Sequence, residues 1–455
     1  MKNSSSQGFS LELTPARIIL LGYLTVILTG ALLLMLPVAA ESGETTGFLK
    51  TLFTSTSAVC VTGLIVVNTA EHWSLFGQTV ILILIQIGGL GFMTLSTIGF
   101  ILLGKKISLK SRILIKEDIG ALNLSGVLDL IKYVVGLTLG AEIIGAFSLY
   151  LNFRGQMEGL KALWYGIFHA VSAFNNAGFD IFGDSLEGFT ADFGVNLTIS
   201  GLIIVGGLGF IVAKELFSHF SADKASRAAR THISLHSKVV LAVTLFLLLT
   251  GTLVFFVLER TNPDTMAHLS APHRMLASFF LSVTPRTAGF NTVPTGAHNI
   301  NTLFFMITLM FIGASPCSTG GGVKTTTFAA VLSSIHSTLF ERSSFNLFER
   351  SMPRDTVEKA IAIVFVALFL VIAVTFLLTL TEEAEFLDIF FESVSAFGTV
   401  GLSTGITGQL SAAGRVIIII TMLAGRVGPL TLILSLRETD TRETYHYPDE
   451  DIMLS

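Results

Sequence analysis

The chain alternates long apolar stretches with short breaks rich in glycine, small polar residues and charge. Four apolar runs, Ile18–Leu36, Tyr133–Phe153, Val239–Leu258 and Ala360–Thr381, are long enough as helices to cross roughly 30 Å of hydrocarbon. Each is followed by a run of about 12 residues, near 47–58, 163–174, 274–285 and 386–397, too short to span and therefore predicted to be re-entrant. Closing helices are predicted over Ser74–Leu103, Val195–Ala213, Thr302–Ala330 and Val416–Leu436. The pattern thus predicts an all-α integral membrane protein with eight spans and four re-entrant loops. The non-helical part of each loop must be buried in protein or line water, because lipid cannot satisfy its amides.

The loops repeat one another. Ser395-Ala396-Phe397-Gly398-Thr399-Val400-Gly401-Leu402 has counterparts at Ser57–Leu64, Ser172–Phe179 and Val283–Phe290. The shared glycines Gly63, Gly178, Gly289 and Gly401 lie 115, 111 and 112 residues apart. A second glycine mark, at Gly88, Gly206, Gly313 and Gly425, follows 25, 28, 24 and 24 residues later. A period kept at two marks through four copies predicts four fused helix–pore loop–helix units around a central pore with pseudo-fourfold symmetry. Their boundaries are 1–116, 117–236, 237–350 and 351–440, followed by a cytoplasmic tail at 441–455.

Composition narrows the class. The chain is 51% hydrophobic and 13% charged with mean hydropathy +0.74, whereas a soluble protein carries about 25% charged residues. Cys60 and Cys317 are too few for a disulfide framework and are expected to be free thiols. The first apolar run is long enough to span, which argues against a cleaved leader. No G-x-G-x-x-G lies between a strand and a helix, and no Walker motif is present. The chain is therefore expected to be no enzyme, to bind no cofactor or nucleic acid, and to have the bilayer as its surroundings.

Basic residues gather between units: Lys105, Lys106, Lys110, Arg112 and Lys116; Lys214, Lys224, Arg227, Arg230 and Lys238; Arg342, Arg350, Arg354 and Lys359. Acids such as Glu41, Glu44, Asp180, Asp184, Glu187, Glu382, Glu383 and Glu385 collect on the pore-loop side. The positive-inside rule then predicts cytoplasmic termini and pore loops opening outward, with Trp73 and Trp164 as outer interfacial aromatics.

Four loops from one chain can surround one axis, each presenting extended backbone carbonyls that replace an ion's hydration shell. The predicted lining is Val61, Thr62 and Gly63; Asn176, Ala177 and Gly178; Thr287, Ala288 and Gly289; Thr399, Val400 and Gly401. No carboxylate falls within the four residues ending at each glycine, which favours a monovalent cation. Arg286 is expected to point away from the ion path into an ion pair behind the loop, and Glu142 to make an ion pair or helix contact.

The second marks differ. Gly88-Gly89-Leu90-Gly91-Phe92 and Gly206-Gly207-Leu208-Gly209-Phe210 read as close helix packing. The third unit carries Gly313, Ala314, Ser315, Pro316, Cys317, Ser318, Thr319, Gly320, Gly321, Gly322, Val323 and Lys324, which cannot make a good continuous helix. It reads as a flexible plug beneath the filter. In the fourth unit Arg426 interrupts an apolar helix at matching register, where an intramembrane charge marks a functional site. Arg426 and Lys324 are predicted to add barriers to cation flow.

In these four filter motifs, the Gly-Gly-Leu-Gly-Phe repeats, the glycine-rich third loop and Gly425-Arg426-Val427-Gly428-Pro429, the chain resembles the Trk/Ktr/HKT superfamily of potassium transporters, most nearly the membrane subunits of bacterial Ktr systems. The resemblance implies channel-like potassium uptake across the bacterial inner membrane, stimulated by sodium in some members, with K+ held at filter backbone carbonyls. It also implies a homodimer resting on a cytosolic ring of KtrA type that binds ATP/ADP or NAD. Glycine at Gly63 favours potassium over sodium, and the gate maps to residues 313–324 and Arg426. The alternative is a sodium-coupled secondary transporter of a small solute, which would more often show two inverted repeats.

Overall fold

The computed structural model describes residues 15–91, 94, 127–221, 233–342, 344–428 and 432. The basic residues Lys105, Lys106, Lys110, Arg112, Lys116, Lys224, Arg227 and Arg230 and the tail at 441–455 lie outside the described residues, as do the predicted closing-helix ends at Leu103 and Leu436.

One order of elements recurs four times: a long helix, a short helix, a loop and a closing helix. The long helices are Pro15–Leu34, Val127–Phe153, Leu235–Glu259 and Arg354–Thr381. Their mean hydropathy runs from 1.8 to 3.3, and each is apolar and long enough to cross a membrane. Their outward faces are apolar at helical spacing: Leu21, Leu24, Leu28 and Leu32 in the first, Phe365, Phe369, Ile372 and Phe376 in the fourth, all exposed. Water would penalise such a face, whereas acyl chains accept it. The chain is a multi-span, all-α membrane protein. A short antiparallel hairpin pairs Phe345–Leu347 with Arg350–Met352 between the third and fourth units.

The short helices, Phe48–Val59, Gly159–Phe174, Ala271–Val283 and Phe386–Gly398, lie where the pattern put them. The first three pack against the long helix before them through small groups. Gly30 lies against the Ser55 hydroxyl, Gly166 against the Ala146 carbonyl, and Gly251 against Ser282, whose Oγ donates to the Leu248 carbonyl at 2.9 Å. Backbones meet closely only where side chains are small.

The closing helices depart from the prediction. They span Leu75–Leu90, Phe193–Leu208, Ile300–Phe311 and Ala412–Val427, so at 16, 16, 12 and 16 residues each is shorter than the roughly 20 a span needs. Among the described residues only the four long helices reach that length unaided. Breaks fall at Gly91, Gly209 and Gly428, with φ of +82°, +93° and +92°, a backbone that glycine alone takes readily. At Gly209 the second helix bends by 101° into Phe210–Ser221. The Gly-Gly-Leu-Gly segments therefore both pack closely and stop a helix.

Carboxylates join the ends of two units. Glu259, at the end of the third long helix, accepts from the Asn299 N–H at 3.1 Å and the Thr302 hydroxyl, at the start of the closing helix. Glu382 accepts from the Ser411 N–H at 2.9 Å and its hydroxyl at 2.6 Å at the equivalent place in the fourth unit. Trp73 is not an interfacial aromatic: it is buried, edge-on to His72. Trp164 is half-buried and donates to Gln78 Oε1 at 2.9 Å. Both cysteines are buried, and neither is in a disulfide.

Candidate functional site: a four-loop ring and the segment beneath it

The four loops close on one another in cyclic order. A methyl built on Gly63 would meet the Ala177 carbonyl oxygen at 2.5 Å; on Gly178, the Ala288 oxygen at 2.8 Å; on Gly289, the Val400 oxygen at 2.5 Å; on Gly401, the Thr62 oxygen at 2.0 Å. Each glycine thus abuts the carbonyl just before the next glycine, and the fourth loop returns to the first. All twelve predicted lining residues belong to these loops, and all but the half-buried Gly401 are buried.

The sequence leads to the expectation of an extended loop backbone, and the structure departs from it. Val61, Asn176, Thr287 and Thr399 have φ of +56°, +58°, +69° and +50°, and the four glycines two residues on have φ of +68° to +92°. Left-handed residues at alternate positions turn successive carbonyls to one side and N–H groups to the other. The N–H groups are used behind the loop. Those of Thr62, Ala177 and Val400 donate to the carbonyls of Ser57, Ser172 and Ser395 at 2.8, 2.8 and 2.9 Å. Those of Gly63 and Gly401 donate to the Ser57 and Ser395 hydroxyls at 3.0 and 3.1 Å, while Ser172 Oγ donates onward to the Phe179 carbonyl at 2.7 Å. The serine six residues before three of the ring glycines is a strut that the sequence reading missed, although its recurrence is visible there.

The short helices end at this ring, so their partial negative ends lie beside it. Behind each short-helix end a closing-helix glycine seats on the carbonyl four residues before the ring glycine: Gly88 on Val59, Gly206 on Phe174, Gly425 on Phe397. The third unit breaks this rule, because Gly313 lies against Gly321 and Gly322 of its own loop.

That loop, from Gly313 to Lys324, is packed against the ring. Gly313 N–H donates to the Val323 carbonyl at 2.9 Å and Ser318 Oγ to the Ser315 carbonyl at 2.6 Å, which holds the loop folded. Gly320 abuts the Thr287 hydroxyl, and Gly321 N–H donates to Thr399 Oγ1 at 3.1 Å. The second unit holds its other side: Ser315 N–H donates to the Gly207 carbonyl at 3.1 Å and Phe210 N–H to the Cys317 carbonyl at 2.7 Å, while Gly209 abuts the Pro316 carbonyl. Thr319 Oγ1 donates to the Phe174 carbonyl at 3.3 Å. Lys324 Nζ donates to the Gly320 carbonyl at 2.7 Å. Arg426 donates from one nitrogen to the Thr319 carbonyl and from the other to the Gly88 carbonyl, so a fourth-unit side chain ties the third-unit loop to the first unit. The structure therefore brings every predicted gate residue together: Gly313, Ser315, Pro316, Ser318, Thr319, Gly320, Gly321, Gly322, Lys324 and Arg426.

Of two isolated charges, one differs from expectation. Arg286 does turn behind its loop, but its partner is the Thr244 hydroxyl, 3.3 Å from Nη2, and not a carboxylate. Among the described residues the ion pairs are His298–Glu259 and Arg354–Glu358. Glu142 is the helix contact the sequence allowed: its Oε1 accepts from Asn175 Nδ2 at 3.1 Å, and the same nitrogen lies 3.0 Å from Gln86 Oε1.

Residues 17–445 match the family model described as TrkH, cation transport protein. The chain is 42% identical over 439 residues to the Ktr system potassium uptake protein B of Bacillus subtilis, covering 96% of each chain. It is 41% identical to the potassium/sodium uptake protein NtpJ of Enterococcus hirae, covering 97% of this chain and 98% of that one. The crystal structure of the potassium transporter TrkH from Vibrio parahaemolyticus shares the fold, with a TM-score of 0.73 at 19% identity over 95% of this chain and 87% of that chain. The matched range holds all four loops, the segment at 313–324 and Arg426: the chain belongs to the TrkH family of cation transport proteins.

Proposed function

We propose that this chain is the membrane subunit of a potassium uptake system and that the four-glycine ring is its selectivity filter. The cyclic contact of Gly63, Gly178, Gly289 and Gly401 with the carbonyls of Ala177, Ala288, Val400 and Thr62 carries the reading. With N–H groups used behind the loops, the oxygens are left for a dehydrated monovalent cation. The names of its relatives, potassium uptake protein B and potassium/sodium uptake protein, favour potassium as cargo and make stimulation by sodium part of the proposal. The segment 313–324 with Arg426 is the gate: it rests against two ring threonines and is held by a charge-assisted pair of hydrogen bonds.

The same reading puts the chain in the bacterial inner membrane as a homodimer on a cytosolic nucleotide-binding ring. The word system in the relative's name supports a multi-component assembly. Cytoplasmic termini follow from the basic residues Lys214, Lys238, Arg342, Arg350, Arg354 and Lys359, opposite the acids at the loop mouths. The test is rescue of a potassium-uptake-deficient bacterium on low potassium, beside a Gly401→Ser variant. Rescue by the wild type and a shift toward sodium in the variant are expected. Failure to rescue with a regulatory partner present would return the solute-transporter reading.

A further inference from the structure

The third residue before each ring glycine is Cys60, Asn175, Arg286 or Gly398. Three are neutral and one is a buried cation. The guanidinium of Arg286 meets the Thr244 hydroxyl at 3.3 Å, its Nε has no partner, and among the described residues no carboxylate lies within 4 Å of it. Three other charges in the bundle are better served. Glu259 has His298 beside it at 3.3 Å as well as Thr265 and Asn262, and Arg426 and Lys324 each reach backbone carbonyls. A guanidinium keeps its proton in a protein, so Arg286 cannot shed the charge. Buried charge is little screened by salt, and it acts over several ångströms in a medium of low polarity.

The backbone of Arg286 joins Thr287, the first lining residue of the third loop. Its charge therefore stands behind one side of the ring, with a sign that opposes a cation at the centre. We infer that Arg286 sets the ring's cation affinity: it is an off-axis positive charge that keeps the ion from binding too tightly to leave. Conduction needs such a balance, since a site that holds its ion firmly does not pass it on. The inference rests on the reading of the ring as a potassium site. A merely structural arginine would act in the opposite direction, because removing it would loosen the loop and weaken binding.

The experiment is potassium uptake by the full chain in proteoliposomes, read as KM and maximal rate. R286Q should lower KM about five- to tenfold, with a maximal rate unchanged or reduced, and R286K should keep the wild-type KM. T244D brings a carboxylate to the guanidinium without touching the loop and should lower KM in the same way, while T244N should not. The shift should persist when ionic strength is raised with choline chloride. Should R286Q not fold, R286M and T244D decide. An unchanged or raised KM in any of these three, once shown to be folded, overturns the inference. Gly401→Ser in the same vesicles separates the two readings. If it leaves ion preference unaltered, the filter assignment fails. If it shifts preference while the charge variants leave KM alone, only the role of Arg286 fails.

Discussion

The third unit and the other three solve one packing problem in two ways. In the first, second and fourth units a closing-helix glycine lies directly on a short-helix carbonyl, so the helix runs unbroken past the ring before it stops. In the third, proline occupies the matching position, Pro285, and the closing helix ends early at Phe311. The released chain turns inward as the segment 313–324 and resumes as a helix only at Thr325. The three regular units make a wall, and the irregular one supplies a backbone that lies against the second and fourth units and is tied to the first through Arg426. Departure from an internal repeat is thus where a moving part can be built, because the remaining copies hold the frame.

Removing the difference should have the largest effect. Deleting Ala314–Gly322 should raise potassium flux at least about tenfold, and so should Arg426→Ala, since either of its two charge-assisted hydrogen bonds, at about 1.5–3 kcal/mol, already exceeds the roughly 1.4 kcal/mol of a tenfold shift. Flux in proteoliposomes checks both, and unchanged or lower flux in folded protein would remove the gate. Next, Gly425→Ala places a methyl 1.9 Å from the Phe397 carbonyl and should destabilise the fourth unit by about 1–3 kcal/mol, read as a lower thermal midpoint in detergent. Gly206→Ala, 1.9 Å from the Phe174 carbonyl, should match it, and a neutral outcome at either would dissolve the distinction between wall and moving part. A smaller loss of about 1 kcal/mol is expected for Ser395→Ala or Ser57→Ala, which free a glycine N–H behind the ring. Their readout is weaker discrimination between potassium and sodium at nearly normal expression. Gly408→Ala meets nothing within 4 Å and should stay within about 0.5 kcal/mol of wild type.

Much of this was legible along the chain because its signals are local. Glycines at a steady period mark the ring, and the dozen residues 313–324, with Gly320-Gly321-Gly322 among them, mark the loop. Arg426 stood out as a charge in an apolar helix, and its register pointed to the partner it has. What stayed hidden depends on contacts far apart in sequence. The bend at Gly209 follows from Phe210 donating to Cys317, more than a hundred residues away. The alternating handedness of the loops reflects serines that claim N–H groups from behind. Nothing near Arg286 in the sequence says whether a carboxylate will reach it, and Trp73 is enclosed by neighbours that only the packed chain assembles.

The ring has an order of manufacture. Its last contact, Gly401 against Thr62, joins the final loop to be synthesised to the earliest. Until translation delivers that segment, the other three loops stand as an open arc. An interrupted polypeptide would therefore lack a closed ring and, on the function proposed above, a complete path for the ion.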